Sequence, residues 1–236
     1  MVLSQRNNCI IKICWILLFL FSSTSTVKPT TLKNVNPFEL YPNNITFNVF
    51  RDNALVGEHQ VTFTKLGKGR FRVNARLKLQ VTFLSFPVYK LQYQSNAIWY
   101  KGKLKSLNST TNENGGIFTI NVTKKNNRLM VVTKNKEFQT DIDTLPTNHW
   151  NPEVLSKNNL INTLTGELSS VRITKLGREK IDIRDRSIFA TKYQYSGSID
   201  TFVWYSDRGN WVKMKFKGND DSNIEYKCID LSLISI

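Results

Sequence analysis

LPTNHWNP, residues 145 to 152, gathers the residues of this chain best suited to chemistry. It sets His149 between Asn148 and Trp150, and Asp141 and Asp143 stand just upstream in TDIDTLP. A neutral imidazole held by a carboxylate is a base with an orienter. A pairing of His149 with Asp141 or Asp143 would therefore suit general acid–base hydrolysis. A blander reading competes: Trp150 plugs one end of a barrel, His149 satisfies a backbone carbonyl, and TDIDTLP is a strand end and turn. His59, in GEHQVTF, reads as lying on the polar side of an alternating strand, solvent-facing or hydrogen-bonded. Two scattered histidines without HExxH or CxxC spacing make no zinc site. The chain carries no nucleophile elbow, phosphate-binding glycine loop or dinucleotide fingerprint. Neither a metal nor a cofactor is implied.

The elements that must position these residues are strands. In RFRVNARLKLQVTF, residues 70 to 83, every second residue is apolar and every residue between is polar. That period of two marks a strand with one apolar and one wet face, about 45 Å long at ~3.3 Å per residue. NITFNVF and LVGEHQVTFTK precede it, and LQYQSNAIWY, GIFTINVTK, RLMVVTK, VRITKLG, REKIDIR and SIFATKYQYSG follow among others, joined by short turns such as LGKG and NENGG. One short helix is expected near 151–157, with Asn151 as N-cap and Pro152 in its first turn. About a dozen antiparallel strands and one very long one predict an all-β fold. Its form is a single large, strongly curved antiparallel sheet, a barrel or half-barrel.

The first 26 residues read as a signal peptide: Arg6 and Lys12, an apolar run at 13 to 21, then SSTST. The rival reading is an uncleaved anchor using residues 10 to 21. Residues 27–42 read as an extended N-terminal arm and 43–236 as a single antiparallel β domain. Cys9 and Cys14 fall inside the leader, so Cys228 is left without an internal disulfide partner and reads as a small, partly buried residue. Net charge is +15, spread along strands rather than clustered in a helix. Arg70, Arg72, Arg76 and Lys78 share one strand face. That face reads either as simply solvated or as attracted to a lipid or an anionic envelope component, with peripheral membrane contact. Export and the lack of an RNP-type aromatic pair argue against nucleic acid.

The run FLSFPVYKLQYQSNAIWYKGKLKSLNSTTNENG, then LPTNHWNP, LINTLTGEL, KLGREKI, ATKYQYSG, WYSDRGNWVKMKFKGND and IEYKC, resembles exported proteobacterial proteins of domain-of-unknown-function family 6134 over residues 42 to 228. The layout distantly resembles the half-barrel of outer-membrane lipoprotein carriers. The resemblance implies a curved antiparallel sheet in a Gram-negative periplasm, and no activity. The carriers plug their sheet with several helices, whereas this chain has one short helix. Family-like positions are Trp99, Tyr100, Ser109 to Asn112, Leu145 to Pro152, Trp204, Tyr205 and Tyr226.

Three functions compete. The first is a non-enzymatic envelope protein that binds an amphipathic or lipid-like ligand on its concave face. Phe71, Leu77 and Leu79 of the long strand, with Trp99, Tyr100, Asn112, Asn148, Trp150 and Tyr205, are its binding candidates. A hollow interior predicts an apolar cavity of a few hundred Å³, and a packed one predicts none. The second is an envelope hydrolase using the 141–150 loop. The third is a structural or assembly partner with no small ligand.

Overall fold

The alternation that marks residues 70 to 83 recurs through most of the chain, and each alternating run becomes a strand. The structure, a computed structural model, describes residues 35–41 and 44–230, within one compact unit, Thr31–Ile236. The signal peptide expected at 1–26 lies outside the described residues. The arm expected at 27–42 is described only at 35–41, and there it is not simply extended. Pro37–Leu40 form one helical turn, α1, whose N-cap Asn36 accepts from Phe38 N–H at 3.2 Å. A proline at the first helical position and an asparagine before it favour such a turn.

Fifteen strands follow: β1 (Ile45–Arg51), β2 (Ala54–Gly67), β3 (Arg70–Phe83), β4 (Phe86–Tyr100), β5 (Lys103–Glu113), β6 (Gly116–Lys125), β7 (Arg128–Thr133) and β8 (Glu137–Asp141) form one run of hairpins. After β9 (Leu145–Pro146) and β10 (Asn159–Ile161) come β11 (Leu168–Ile183), β12 (Arg186–Gly197), β13 (Thr201–Ser206), β14 (Trp211–Lys217) and β15 (Asn223–Cys228). They form a single sheet in the order β8-β7-β6-β5-β4-β3-β2-β1-β15-β14-β13-β12-β11-β10-β9. Every strand but those at one seam pairs with its chain neighbour, and β15 returns to β1. The free edges are β8 and β9, which three residues, 142–144, connect directly. The sheet is therefore strongly curved and barrel-like but not closed, with its seam where Thr140 and Thr144 share a hydroxyl hydrogen bond of 2.9 Å. Contacts across the interior confirm the curvature: Ser109 Oγ of β5 donates to the Thr163 carbonyl at 3.0 Å, and Lys136 meets Glu167 at 3.0 Å.

Two details differ from the sequence reading. The β9–β10 pair is parallel, in an otherwise antiparallel sheet. The expected helix is a five-residue 3₁₀ turn, Pro152–Ser156, that carries the chain back between those two strands. Asn151 caps it as expected, accepting from Glu153 N–H at 3.0 Å. So short a piece gains more from the tighter i→i+3 bonds than from α geometry.

Antiparallel hairpins give the rolled sheet two ends. The β1–β2, β3–β4, β5–β6, β12–β13 and β14–β15 turns share one, called here the open end. The β2–β3, β4–β5 and β13–β14 turns share the other, the packed end. Near the packed end the interior is aromatic. Trp150, from the segment after β9, stands edge-on to Trp99 of β4 at 5.3 Å, Phe63 of β2 at 5.6 Å and Phe71 of β3 at 6.0 Å. Phe71 stacks on Trp99, and α1 lays Phe38 and Tyr41 on the same group.

Candidate functional site

Beyond Trp150, toward the open end, the inward row of the same strands changes character. His59 lies opposite Leu77, and Leu77 opposite Tyr93, so three neighbouring strands present an imidazole, an isobutyl group and a phenol in one line. Trp211, Met214 and Phe216 of β14 and Tyr226 of β15 complete the wall. The roof is the loop from Thr147 to Trp150 with Asn162 to Leu164. Between them lies a cavity of about 210 Å³. Its rim carries Leu164 and Asp200, both exposed, and Asp200 holds the one formal charge among the lining residues.

Hydrogen bonds from elsewhere in the sheet hold the roof. Tyr205 Oη donates to the His149 carbonyl at 2.9 Å. Tyr41 Oη donates to the Trp150 carbonyl at 3.1 Å and accepts from Trp211 N–H at 2.8 Å. Thr163 N–H donates to Thr147 Oγ1 at 3.1 Å. The backbone of the loop is thus fixed while its side chains face inward.

Those side chains are polar and unpartnered. His59 Nδ1, Asn148 Nδ2, His149 Nδ1 and Trp150 Nε1 are buried with no hydrogen-bond partner in the protein, and all four residues line the cavity. Leaving a buried donor or acceptor unpaired costs on the order of 1–3 kcal/mol each. Both imidazoles are held neutral. Burial pushes the His149 pKa down to about 4. Burial, with His149 nearby, pushes His59 down to about 3. The Trp211 ring lies between them, 5.7 Å from His59 and 5.3 Å from His149. No group of three or more His, Cys, Asp or Glu side chains suited to a metal ion occurs among the described residues.

The structure brings His149, Asn148, Trp150 and Leu77 to this cavity and disperses the other sequence candidates. Phe71 and Trp99 belong to the aromatic layer below it, and Leu79 packs against the core without lining the cavity. Tyr100 is only half-buried, with Lys101 and Lys105 over its ring. Asn112 accepts from Gly115 N–H in the β5–β6 turn, and Tyr205 works through the loop backbone. Asp141 and Asp143 are exposed. Asp141 meets Arg128 at 3.6 Å and Asp143 pairs with Lys103. Neither reaches the His149 imidazole, whose Nδ1 has no partner, so the base–orienter pair is not formed. The reason is the strand end at Asp141, which points both carboxylates outward before the chain turns in.

His59 is the main correction. It is 9% exposed and faces inward, in the same row as Val61, which is buried, and Phe63. Its parity with those two residues was the signal for that placement. Trp211 and the roof residues 162–164 had no such signal, because long-range folding alone brings them here. Cys228 is buried on β15, and burial raises its thiol pKa to about 12.

Comparisons with known proteins agree with this architecture. A family model described as "Domain of unknown function (DUF6134)" matches residues 47–229. No curated protein matches the sequence. Among solved structures, a β-barrel-like protein of domain of unknown function DUF1849 from Brucella abortus is similar in fold. Its TM-score is 0.58 at 11% identity, covering 81% of this chain and 97% of the other. At that identity the likeness concerns the fold alone.

Proposed function

The chain belongs to the DUF6134 family, and from that premise we propose that its open-ended sheet binds one small, uncharged, amphipathic molecule in the cavity beside His59 and His149. The observation that carries the reading is the coincidence of an apolar hollow with four unpartnered, buried polar atoms on the residues that line it. Packed interiors rarely hold voids of this size, and buried polar atoms are nearly always paired. A ligand with an apolar body and a hydroxyl or amide head would fill the first and satisfy the second. Both imidazoles are neutral, so the walls offer no cation to a buried carboxylate or phosphate. Cavities of about 150 Å³ accept benzene. A cavity of about 210 Å³ therefore suits a ligand a little larger than one ring. A complete long acyl chain does not fit inside, which narrows the lipid-like class expected from sequence. The role is binding rather than catalysis, and the leader-like residues 1–26 support placing it in the cell envelope.

The test is native mass spectrometry of the protein purified without detergent from its own cells, beside the variant Leu77→Trp. One low-mass adduct per chain in the wild type, absent in the variant, is expected. An adduct that survives Leu77→Trp unchanged would place the ligand elsewhere and overturn the reading.

A further inference from the structure

The open end carries a second unusual feature. β3 pairs with β2 only as far as Leu79, opposite Gly57, and β4 pairs with β5 only to Leu91, opposite Glu113. Beyond those points the ladder joins β3 and β4 only to each other, to Phe83–Phe86, with Lys90 still held at its backbone by Asn114 and Tyr89 by Glu113. The hairpin thus projects past its neighbours by about four residues per strand, roughly 13 Å at ~3.3 Å per residue. Its tip is apolar and open to solvent: Phe83 is 66% exposed, Leu84 77%, Phe86 72% and Val88 57%. The turn residues Leu84 and Ser85 both have positive φ, 48° and 70°. The other two-residue turns of this end use Asp52–Asn53 and Asn114–Gly115, residue types that accept that conformation readily. Lys68, Lys101 and Arg184 hold the same turn position elsewhere, so the conformation is ordinary for this chain; what sets Leu84 apart is an apolar side chain left 77% exposed.

Cations stand behind the tip on both of its strands, Arg76 and Lys78 on β3 and Lys90 on β4, with Glu58 opposite Lys78 and Glu113 opposite Leu91 further back. Arg76, Lys78 and Lys90, nearest the tip, are exposed. Apolar side chains on both strands make a blunt wedge, not a face for another protein's groove, and the cations stand behind it. That is the arrangement for entering the interface of an anionic membrane: aromatic and aliphatic groups sink ~5–10 Å while lysines stay with the headgroups. No described helix is long and apolar enough to cross a membrane.

We propose that the β3–β4 hairpin is a membrane-surface anchor that inserts Phe83, Leu84 and Phe86 into an anionic lipid bilayer. The cavity rim at Leu164 and Asp200 lies at the same end and would then face the lipid. This anchor stands on the hairpin alone and does not depend on the cavity holding a ligand.

A nitroxide at Leu84→Cys tests it directly, in the full chain with Cys9→Ser and Cys14→Ser so that buried Cys228 is the one other thiol. A second label at Asn127→Cys, in the β6–β7 turn of the opposite end, is the control. With phosphatidylglycerol–phosphatidylethanolamine vesicles, the label at 84 becomes accessible to oxygen and shielded from a water-soluble relaxer, and the label at 127 stays in water. Phe83→Ser with Phe86→Ser removes the shielding. Lys78→Gln and Lys90→Gln each weaken partitioning to anionic vesicles about fivefold, from ~1 kcal/mol per cation. They leave phosphatidylcholine vesicles unaffected. A label at 84 that remains in water while vesicles are present overturns the proposal, whether or not the chain binds them by another segment. So does a protein dimer that shields the label at 84 without lipid and is lost with Phe83→Ser and Phe86→Ser.

Discussion

The same strands build both ends of the interior, and they build them differently. β2 gives Phe63 to the packed end and His59 to the open end. β3 gives Phe71 and Leu77, and β4 gives Trp99 and Tyr93. At the packed end these rings close on Trp150 from three sides. A few residues along, the row meets no such plug, and about 210 Å³ stays unfilled among unpaired polar atoms. A curved sheet of this size needs something to fill it. One tryptophan on a loop fills the packed end, so the plug carries stability, and the hollow is the space the proposed ligand would take.

Removing the plug should have the largest effect. Trp150→Ala empties the space between Phe63, Phe71 and Trp99, and large-to-small changes at such sites cost about 3–5 kcal/mol. Urea denaturation measures it; a loss below ~1 kcal/mol would mean the two ends are packed alike.

Acid separates the ends next. Both histidines have folded-state pKa values below their ordinary one near 6.5, so the unfolded chain binds their protons first. Their contribution is complete above about pH 6.5 and is lost as pH falls through about 4 for His149 and about 3 for His59. Each histidine adds a slope of about 1.4 kcal/mol per pH unit. Stability measured between pH 6 and 4.5 should fall by up to ~3 kcal/mol per unit. His149→Gln should roughly halve that slope, and an unchanged slope would show that the imidazoles are not buried neutral.

Enlarging a side chain sharpens the contrast. Ala97→Leu, fully buried two residues from Trp99, should cost about 1–3 kcal/mol because no space receives it. Leu77→Trp fills existing space and should change thermal stability by less than about 1 kcal/mol while abolishing binding. The smallest effect belongs outside both ends. Asp141→Asn with Asp143→Asn breaks two exposed ion pairs, each worth ~0–1 kcal/mol, and should leave ligand binding unaltered. Loss of binding in that double variant would reinstate the carboxylates as site residues.

Much of the fold was legible because the strand code is local. Residues 70 to 83 alternate without a break, and β3 has those bounds. The cap and proline at 151 and 152 place a helical turn from neighbours alone. β2 was harder to read, since its inward row contains Gly57 and His59, neither of which looks like core. Gly57 is there because a Cβ would fall 1.9 Å from the Lys78 carbonyl oxygen of β3. His59 stands among the rings of Phe47, Trp211 and Tyr226, a setting that no neighbour in sequence announces. Asp141 and Asp143 misled for the opposite reason: closeness in sequence to His149 says nothing about which way a strand end points. The cavity itself depends on Trp211, Tyr226 and residues 162–164 arriving from distant strands, and no periodicity encodes that meeting.

The most direct test reads both ends in one spectrum. In ¹H–¹⁵N spectra, the indole N–H of Trp211 and Trp150 report on the cavity and that of Trp99 on the packed layer. Titration with 1-octanol, an uncharged amphiphile of suitable size, should move the Trp211 and Trp150 signals saturably with one equivalent bound and leave Trp99 in place. Movement of all indoles together, or of none, would contradict a hollow end set apart from a packed one.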